Sequence, residues 1–451
     1  MNKNEIYKKM PICLQNLACN IEGYRLKKER LGENFKKRLV EYESRNNWSY
    51  EQMCDFRDKK LQKMVMHCYR TVPYYKQLFK DGGINPDSIK TIEDLKVLPI
   101  LYKSEIMSHP DDFVSMEYKN AKLLTETTSG STGSSLIFKI QPENLEEVWA
   151  VWWRYRHRLG ISEDLWQADF GSKVIVPATQ TKPPYWRISA PLRQVKFSTF
   201  HGNPKTYGYY YDEINKKGLT WIHGYPSCIV PFASFIIENG LKFNHEIKFV
   251  TTGGENLYDF QRNILKEAFG CMPRTHYGLT ECVANFSERI DGICEIDEDF
   301  AAVEFVKEDD LYRIIGTNLM NFAMPLLRYD TADLAMVDGK VGLQGRIVKY
   351  VDGRSGDAIY FPDGKKIGSF SALFTETTHI QEAQIFQAKD FRITIRFVAK
   401  DDDWQEDINN VDKKFRERVG NSLPVVYEQV EKLPRTKNNK LRYVISEVQF
   451  L

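Results

Sequence analysis

The sequence predicts two structural classes in one chain, an α/β body followed by an α+β tail, on three observations. At 451 residues the chain exceeds what a single core usually supports. Strand-like and helical segments alternate from about 120 to 280, the pattern of a sheet layered with helices. After 300 strand follows strand, and the last hundred residues return to a short mixture of strands and one helix. The expected architecture is a large N-terminal domain over 1–353, with layered mixed sheets and a distorted barrel, and a small mobile α+β lid domain over 354–451. A mostly helical lead-in occupies 1–75.

Taken in order, residues 24–70 are charged and rich in Leu and Lys, and Pro73 in "RTVPYYKQLF" stops that helical stretch. "TIEDLKVLPILYKSEI" (91–106) reads as a short capped helix, a proline break and a second helix start. The strands expected next are "LIFKI", "KVIVP", "QVKFS", "LTWIH" and "IKFVTT", interleaved with helices near 142–159, 204–217, 226–239 and 257–268. "AAVEFV", "LYRIIGT", "LLRYDTADLAMV" and "GLQGRIVKYV" then form successive strands, and the glycines of "VDGRSGDAIYFPDGKK" mark a linker at 352–357. In the tail, "FRITIRFV" alternates with period two, "WQEDINNVDKKFRERV" is amphipathic, and "PVVYEQVEKL" is a strand.

Composition sets aside several functions. A net charge of +2 with no dense Lys/Arg block is a poor match for a nucleic-acid partner. No apolar run reaches the length of a membrane span, so no membrane insertion is expected. The eight cysteines are scattered without a CxxC pair, which fits reduced thiols and a cytoplasmic location. Cys271, His276, Cys282 and Cys294 match no standard metal spacing, and whether they hold a structural metal stays open, as does the oligomeric state.

The chemistry concentrates first in "LLTETTSGSTGSSLIFKI" (123–140). Thr127 to Ser134 carries no large side chain, so packing does not explain it. Free backbone N–H groups and hydroxyls suit a many-oxygen anion such as a polyphosphate. A Walker A loop would need Gly-x4-Gly-Lys-Ser/Thr, but Gly130 and Gly133 are too close and no lysine follows. A nucleophile elbow would need Gly-x-Ser-x-Gly, and Ser129 breaks it.

Thr128, Ser129, Gly130, Ser131, Thr132 and Gly133 instead resemble the T-S-G-S-T-G phosphate loop of the adenylate-forming superfamily, with Ser135 in place of the usual proline. Downstream segments resemble that family in the same order. "VTTGGENL" supplies Gly253, Gly254 and Glu255 on the adenine and ribose side. "THYGLTECV" supplies His276, Tyr277 and Gly278 near adenine, Thr280 at the α-phosphate and Glu281 for Mg²⁺. "PLLRYDTADLA" supplies Asp333 for the ribose hydroxyls, with Ala332 where glycine is usual. Arg354 matches a ribose-contacting arginine before the hinge, where Gly356 replaces a polar residue. "LPRTKNNKLRYVIS" places Lys440 at the catalytic lysine, with Asn439 for glycine.

Longer stretches, including "RQVKFSTFHGNPKTYGYYYDEI" and "WIHGYPSCIVPFASFI", resemble the phenylacetate–CoA ligase family and, within it, the CapK branch linked to capsular polysaccharide. That resemblance implies an acyl pocket lined by Phe200, His201, Gly224, Tyr225 and Pro226, whereas the aromatic run "VWAVWWRYRH" (148–157) reads as core packing. It also implies ATP, AMP and Mg²⁺ as ligands, a carboxylic acid as substrate, and an AMP-forming acid–thiol or acid–amine ligase. Coenzyme A is the leading acceptor; an amine or hydroxyl of a polysaccharide precursor is the alternative. A nucleotide-binding scaffold without turnover is the reading of another class, and Ser135, Ala332, Gly356 and Asn439 are its grounds.

Overall fold

The computed structural model describes residues 3–127, 136–171, 175–308, 310–354, 358–367, 370–374, 377, 379–435 and 441–448. The expected phosphate loop 128–133, Ser135, Gly356, Asn439 and Lys440 lie outside the described residues, and so does the Arg354 side chain. The chain forms two compact units: 1–24 with 164–275 and 352–451, and 25–163 with 276–351.

The first unit is built on strands in the order Phe249–Gly253, Trp221–Gly224, Gln167–Phe170, Gln194–Phe197 and Trp186–Ser189. The first four run parallel and the last is an antiparallel edge. Parallel neighbours need crossovers, and the helices Pro204–Lys217 and Pro226–Glu238 supply them. Asn203 caps the first of these in a capping box and Pro204 sets its opening φ. Beneath the helices, Phe170 stacks on Phe197 and Phe232 at centroid distances of 5.0 and 5.5 Å.

The same unit holds the tail. Its four-stranded sheet runs Val425–Gln429, Ile393–Ala399, Ile380–Gln387, Val444–Ser446, parallel at both outer pairs and antiparallel in the middle. The helix Gln405–Val419 buries Val411 and Phe415 against it, as its amphipathic pattern predicts. Tyr443 meets Tyr258 at 4.9 Å, and Phe260 joins the tail's apolar cluster.

The second unit carries the helices Glu33–Ser44, Tyr50–Thr71, Pro73–Asp81 and Pro142–Arg158. Its sheet order is Ala301–Glu308, Leu311–Asn318, Tyr329–Val341, Arg346–Arg354, Cys294–Ile296, Asn285–Glu288, then the strand containing Tyr277. A separate antiparallel hairpin pairs Leu124–Thr127 with Ile137–Ile140, so Thr127 and Ile137 face each other across the ends of the serine-glycine segment. The acidic run Asp297-Glu298-Asp299 is buried yet fully paired. Asp299 accepts from Arg154 and Arg45, each at 2.7 Å, and Glu298 accepts from Arg57 and Arg346. These guanidinium groups hold both carboxyls below their ordinary range despite burial.

One expected strand differs. "KVIVP" is not a strand at 175–177, where Val176 sits in a bend before Pro177. The strand occupying that place in the sheet order is Gln167–Phe170, whose Asp169 is neutralised by Lys196 on the neighbouring strand.

Candidate active site

In the first unit, the candidate residues gather at the carboxyl ends of the parallel strands, where open α/β sheets place ligands. Gly224 ends its strand with φ +156°, and a Cβ there would sit 2.5 Å from the Phe170 carbonyl oxygen. Only glycine lets the two strand ends approach this closely. Tyr225 and Pro226 then open the helix Pro226–Glu238, where the Tyr225 side chain makes no capping bond.

Glu255 supplies that cap from another segment. Its carboxylate accepts from the Ser227 backbone N–H at 3.0 Å and from Ser227 Oγ at 2.9 Å. A carboxylate at a helix N-terminus also meets the positive end of the helix dipole. Gly253 and Gly254 make the turn that delivers it, Gly254 at φ +73°. Nearby, Thr251 Oγ1 accepts from Trp221 Nε1 at 2.8 Å and lies 2.9 Å from His223 Nδ1.

Phe200 and His201 follow the strand Gln194–Phe197. Phe200 is exposed. His201 is held at both ring nitrogens, by the Gln180 carbonyl at 3.1 Å and Ser198 Oγ at 2.7 Å, and stacks on Tyr185. A carbonyl only accepts, so Nε2 carries the proton, and burial lowers the ring's pKa. His201 is therefore neutral and oriented by its loop.

In the second unit, Tyr277 Oη donates to Asp333 Oδ2 at 2.7 Å, and its ring stacks on Phe286 at 4.7 Å. Withdrawal from water and the Asp333 charge both raise the phenol's pKa, so it stays protonated and a donor. Asp333 is delivered by an irregularity in the strand Tyr329–Val341, where the register shifts and Ala332 takes φ +59°, its N–H bonded to Asp330 Oδ1, while Asp333 N–H bonds Thr331 Oγ1. Ala332 thus occupies a left-handed conformation that a glycine would adopt at no cost.

Arg328 braces this segment by a double contact to Glu304 and a bond to the Leu98 carbonyl. Thr280 is exposed. Glu281 is half-buried, with Tyr329 Oη 3.4 Å from its carboxylate and Asn318 Nδ2 holding its backbone carbonyl at 3.1 Å.

His276 sits in an aromatic box, with Trp152 at 5.2 Å and Tyr155 at 5.3 Å between ring centroids. Desolvation pushes its pKa down to about 4. Asn285 Nδ2 donates to Asp297 at 2.6 Å, which turns Asn285 Oδ1 toward His276 Nε2 at 2.9 Å and fixes Nε2 as the protonated nitrogen. Gly278 leaves no space for a side chain beside this pair, since a Cβ would lie 2.9 Å from the imidazole.

Sequence reasoning missed Trp152, Tyr155 and Asn285 around His276, and Ser227 beneath Glu255. The aromatic run was assigned to the core, which holds for the buried Trp153 and Tyr155; Tyr155 and the half-buried Trp152 also flank the histidine. Among the described residues no cluster of three His, Cys, Asp or Glu side chains has metal-site geometry. Cys282 is buried and its thiol lies 3.3 Å from the Thr280 carbonyl.

Comparison with known proteins matches residues 359–447 to the CapK C-terminal domain. Protein CapK of Staphylococcus aureus is 24% identical over 99% of this chain and 100% of its own length. Indoleacetate–lysine synthetase of Pseudomonas savastanoi is 33% identical over 30% of this chain and 34% of its own. A crystal structure of 2-hydroxyisobutyryl-CoA ligase in the postadenylation state superposes with a TM-score of 0.67 at 16% identity, covering 89% of this chain and 91% of that one. The chain thus resembles CapK from end to end, matches the CapK C-terminal domain over residues 359–447, and shares its fold with 2-hydroxyisobutyryl-CoA ligase.

Proposed function

We propose that the protein activates a carboxylic acid with ATP as an acyl adenylate and then transfers the acyl group to a nucleophile. The Tyr277–Asp333 hydrogen bond carries this reading, because it fixes a deprotonated carboxylate as a two-oxygen acceptor suited to a ribose diol. In the first step a substrate carboxylate oxygen attacks the α-phosphorus and the bond to the β-phosphate oxygen breaks, releasing pyrophosphate. In the second, the acceptor attacks the acyl carbon and AMP leaves with the anhydride oxygen.

Each residue's part follows from its chemistry. The 128–133 segment, rich in N–H and hydroxyl donors, receives the β and γ phosphates. Thr280 donates to the α-phosphate, Asp333 and Arg354 hold the ribose, and Gly253, Gly254 and Glu255 with His276, Tyr277 and Gly278 border the nucleoside. Glu281 offers the hard carboxylate oxygen that would hold Mg²⁺, an ion that supplies charge neutralisation on the phosphates. Lys440, in the 354–451 lid, places a cation where charge builds on the α-phosphate. Reorientation of that lid separates the two half-reactions.

The leading acceptor is the thiol of coenzyme A. An amine or hydroxyl acceptor is the second reading, favoured by the end-to-end likeness to CapK and the local likeness to an acid–amine ligase. Incubation with MgATP, a panel of aromatic, aliphatic, hydroxy and amino acids, and either coenzyme A or amine acceptors tests both, with products resolved by mass spectrometry. AMP and a thioester support the first reading, and AMP with an amide or ester the second. AMP formation independent of any acid would overturn both.

A further inference from the structure

The helix Ile12–Arg30 turns three amide side chains, Gln15, Asn16 and Asn20, toward the protein. Gln15, 2% exposed, accepts from Arg187 Nε at 2.8 Å and donates to the Tyr7 and Met10 carbonyls. Asn16 Oδ1 and Asn20 Oδ1 accept from the backbone N–H groups of Ile188 and Ala190, at 3.0 and 2.8 Å. These amides close the unpaired side of the edge strand Trp186–Ser189, a task apolar side chains cannot do. Gly23 lies on the same inward face, where a Cβ would collide with Ser189 Oγ.

Outward, an apolar row runs beside the exposed Glu22, Arg25, Lys27 and Lys28. Leu14, Leu17, Ile21 and Tyr24 are 46, 54, 65 and 69% exposed. Their spacing of three, four and three residues puts them in one row along the helix. Ile6, on the preceding helix Lys3–Lys9, is also exposed. Scattered apolar residues on a surface need no explanation, but a row of this kind marks an interaction face.

Charge decides between occupants. The exposed Lys8 and Lys9 precede the row, and Lys27, Lys28 and Arg30 occupy the last turn of the same helix. A second copy packed antiparallel along this row would bring Lys8 and Lys9 of one chain toward Lys27 and Lys28 of the other. Packed parallel, it would set each cluster against its own copy. Both arrangements are repulsive. An anionic lipid surface satisfies the apolar row and the flanking lysines together. We propose that this face docks the protein peripherally on anionic membranes, lying on the bilayer; no described helix is long and apolar enough to cross it.

The test is co-sedimentation of the full chain with vesicles of phosphatidylcholine alone and with one quarter phosphatidylglycerol. The expected result is binding to the anionic vesicles only, weakened by salt. The double variant Leu17→Glu/Ile21→Glu should reduce the bound fraction at least tenfold, with unchanged circular dichroism and adenylation. Lys8→Glu/Lys9→Glu, which leaves the apolar row intact, should weaken binding severalfold. The proposal is overturned if the wild-type chain ignores anionic vesicles, or if the Leu17/Ile21 variant binds them as well as wild type. It is equally overturned if light scattering shows a wild-type dimer that this variant dissociates, since the row would then be a seam between copies.

Discussion

Tyr277 Oη lies 2.7 Å from Asp333 Oδ2, joining the strand that ends in Gly278 to the irregular stretch around Ala332 in the strand Tyr329–Val341. The bond orients the carboxylate and leaves the other oxygen, Oδ1, outside that contact. Removing the phenol oxygen should cost one hydrogen bond to a charged acceptor, about 1.5–3 kcal/mol. Tyr277→Phe is therefore expected to raise the KM for ATP roughly tenfold or more, while Asp333→Ala loses nearly all adenylation. Steady-state kinetics on both variants checks this, and equal kinetics for Asp333→Ala and wild type would remove Asp333 from the site.

Ala332 holds a left-handed backbone that costs an alanine about 1 kcal/mol. Ala332→Gly should raise the urea midpoint slightly without changing the slope, the relief of strain partly offset by glycine's greater unfolded-state entropy. Ala332→Val should lower it clearly, because a β-branched residue fits this region worst. Denaturation curves for the pair give the sign of each effect.

Glu255 caps the helix Pro226–Glu238 through Ser227. Loss of such a cap costs on the order of 1 kcal/mol. Glu255→Ala should be destabilised by about that amount, and Glu255→Gln by less, since an amide oxygen still accepts from Ser227. Thermal unfolding of the two variants separates the cap from any role toward nucleotide, which would appear in the KM for ATP.

His276 makes stability depend on pH. The unfolded chain takes up this proton near pH 6.5, whereas the folded chain resists until about 4. Between those values the unfolded state binds more protons, so stability falls as pH drops from 6.5 toward 4 and is flat above. The full effect is about 3 kcal/mol. His276→Gln, which keeps a donor for Asn285, should flatten the profile in that window.

Much of this fold was legible in the sequence because its helices announce their ends. Asn203-Pro204 and Pro226 fall at helix starts, and the 204–217 helix is bounded by Gly218 in the left-handed conformation. The Gln167–Phe170 strand was hidden because it buries two polar residues, Gln167 and Asp169, the latter paired with Lys196 across the sheet, and so shows no apolar alternation. Tyr277 and Asp333 were singled out by the resemblance of their segments to adenylate-forming motifs, and the structure brings these two side chains together. The Ser227–Glu255 cap and the Asp297–Asn285–His276 chain were not, since each joins segments through side-chain geometry that spacing does not encode.

The tail holds one further positioning pair. Arg435 pairs with Glu382, both largely buried, and Arg435 bridges to Leu441 across 436–440, the segment that contains Lys440. Glu382→Ala would leave a buried guanidinium unpaired, a loss of about 3–5 kcal/mol. A paired replacement, Glu382→Leu with Arg435→Met, should recover most of that stability. If adenylation recovers with it, the pair only supports the fold; if not, it also sets the lysine segment.

Carboxylate-dependent exchange of labelled pyrophosphate into ATP is the most direct measurement, made on the wild-type chain and on Lys440→Ala. The account predicts exchange with one class of acid in the wild type, and at least a hundredfold less in the variant, with ATP binding largely kept. No exchange with any acid, although ATP binds, or exchange undiminished in Lys440→Ala, would contradict it.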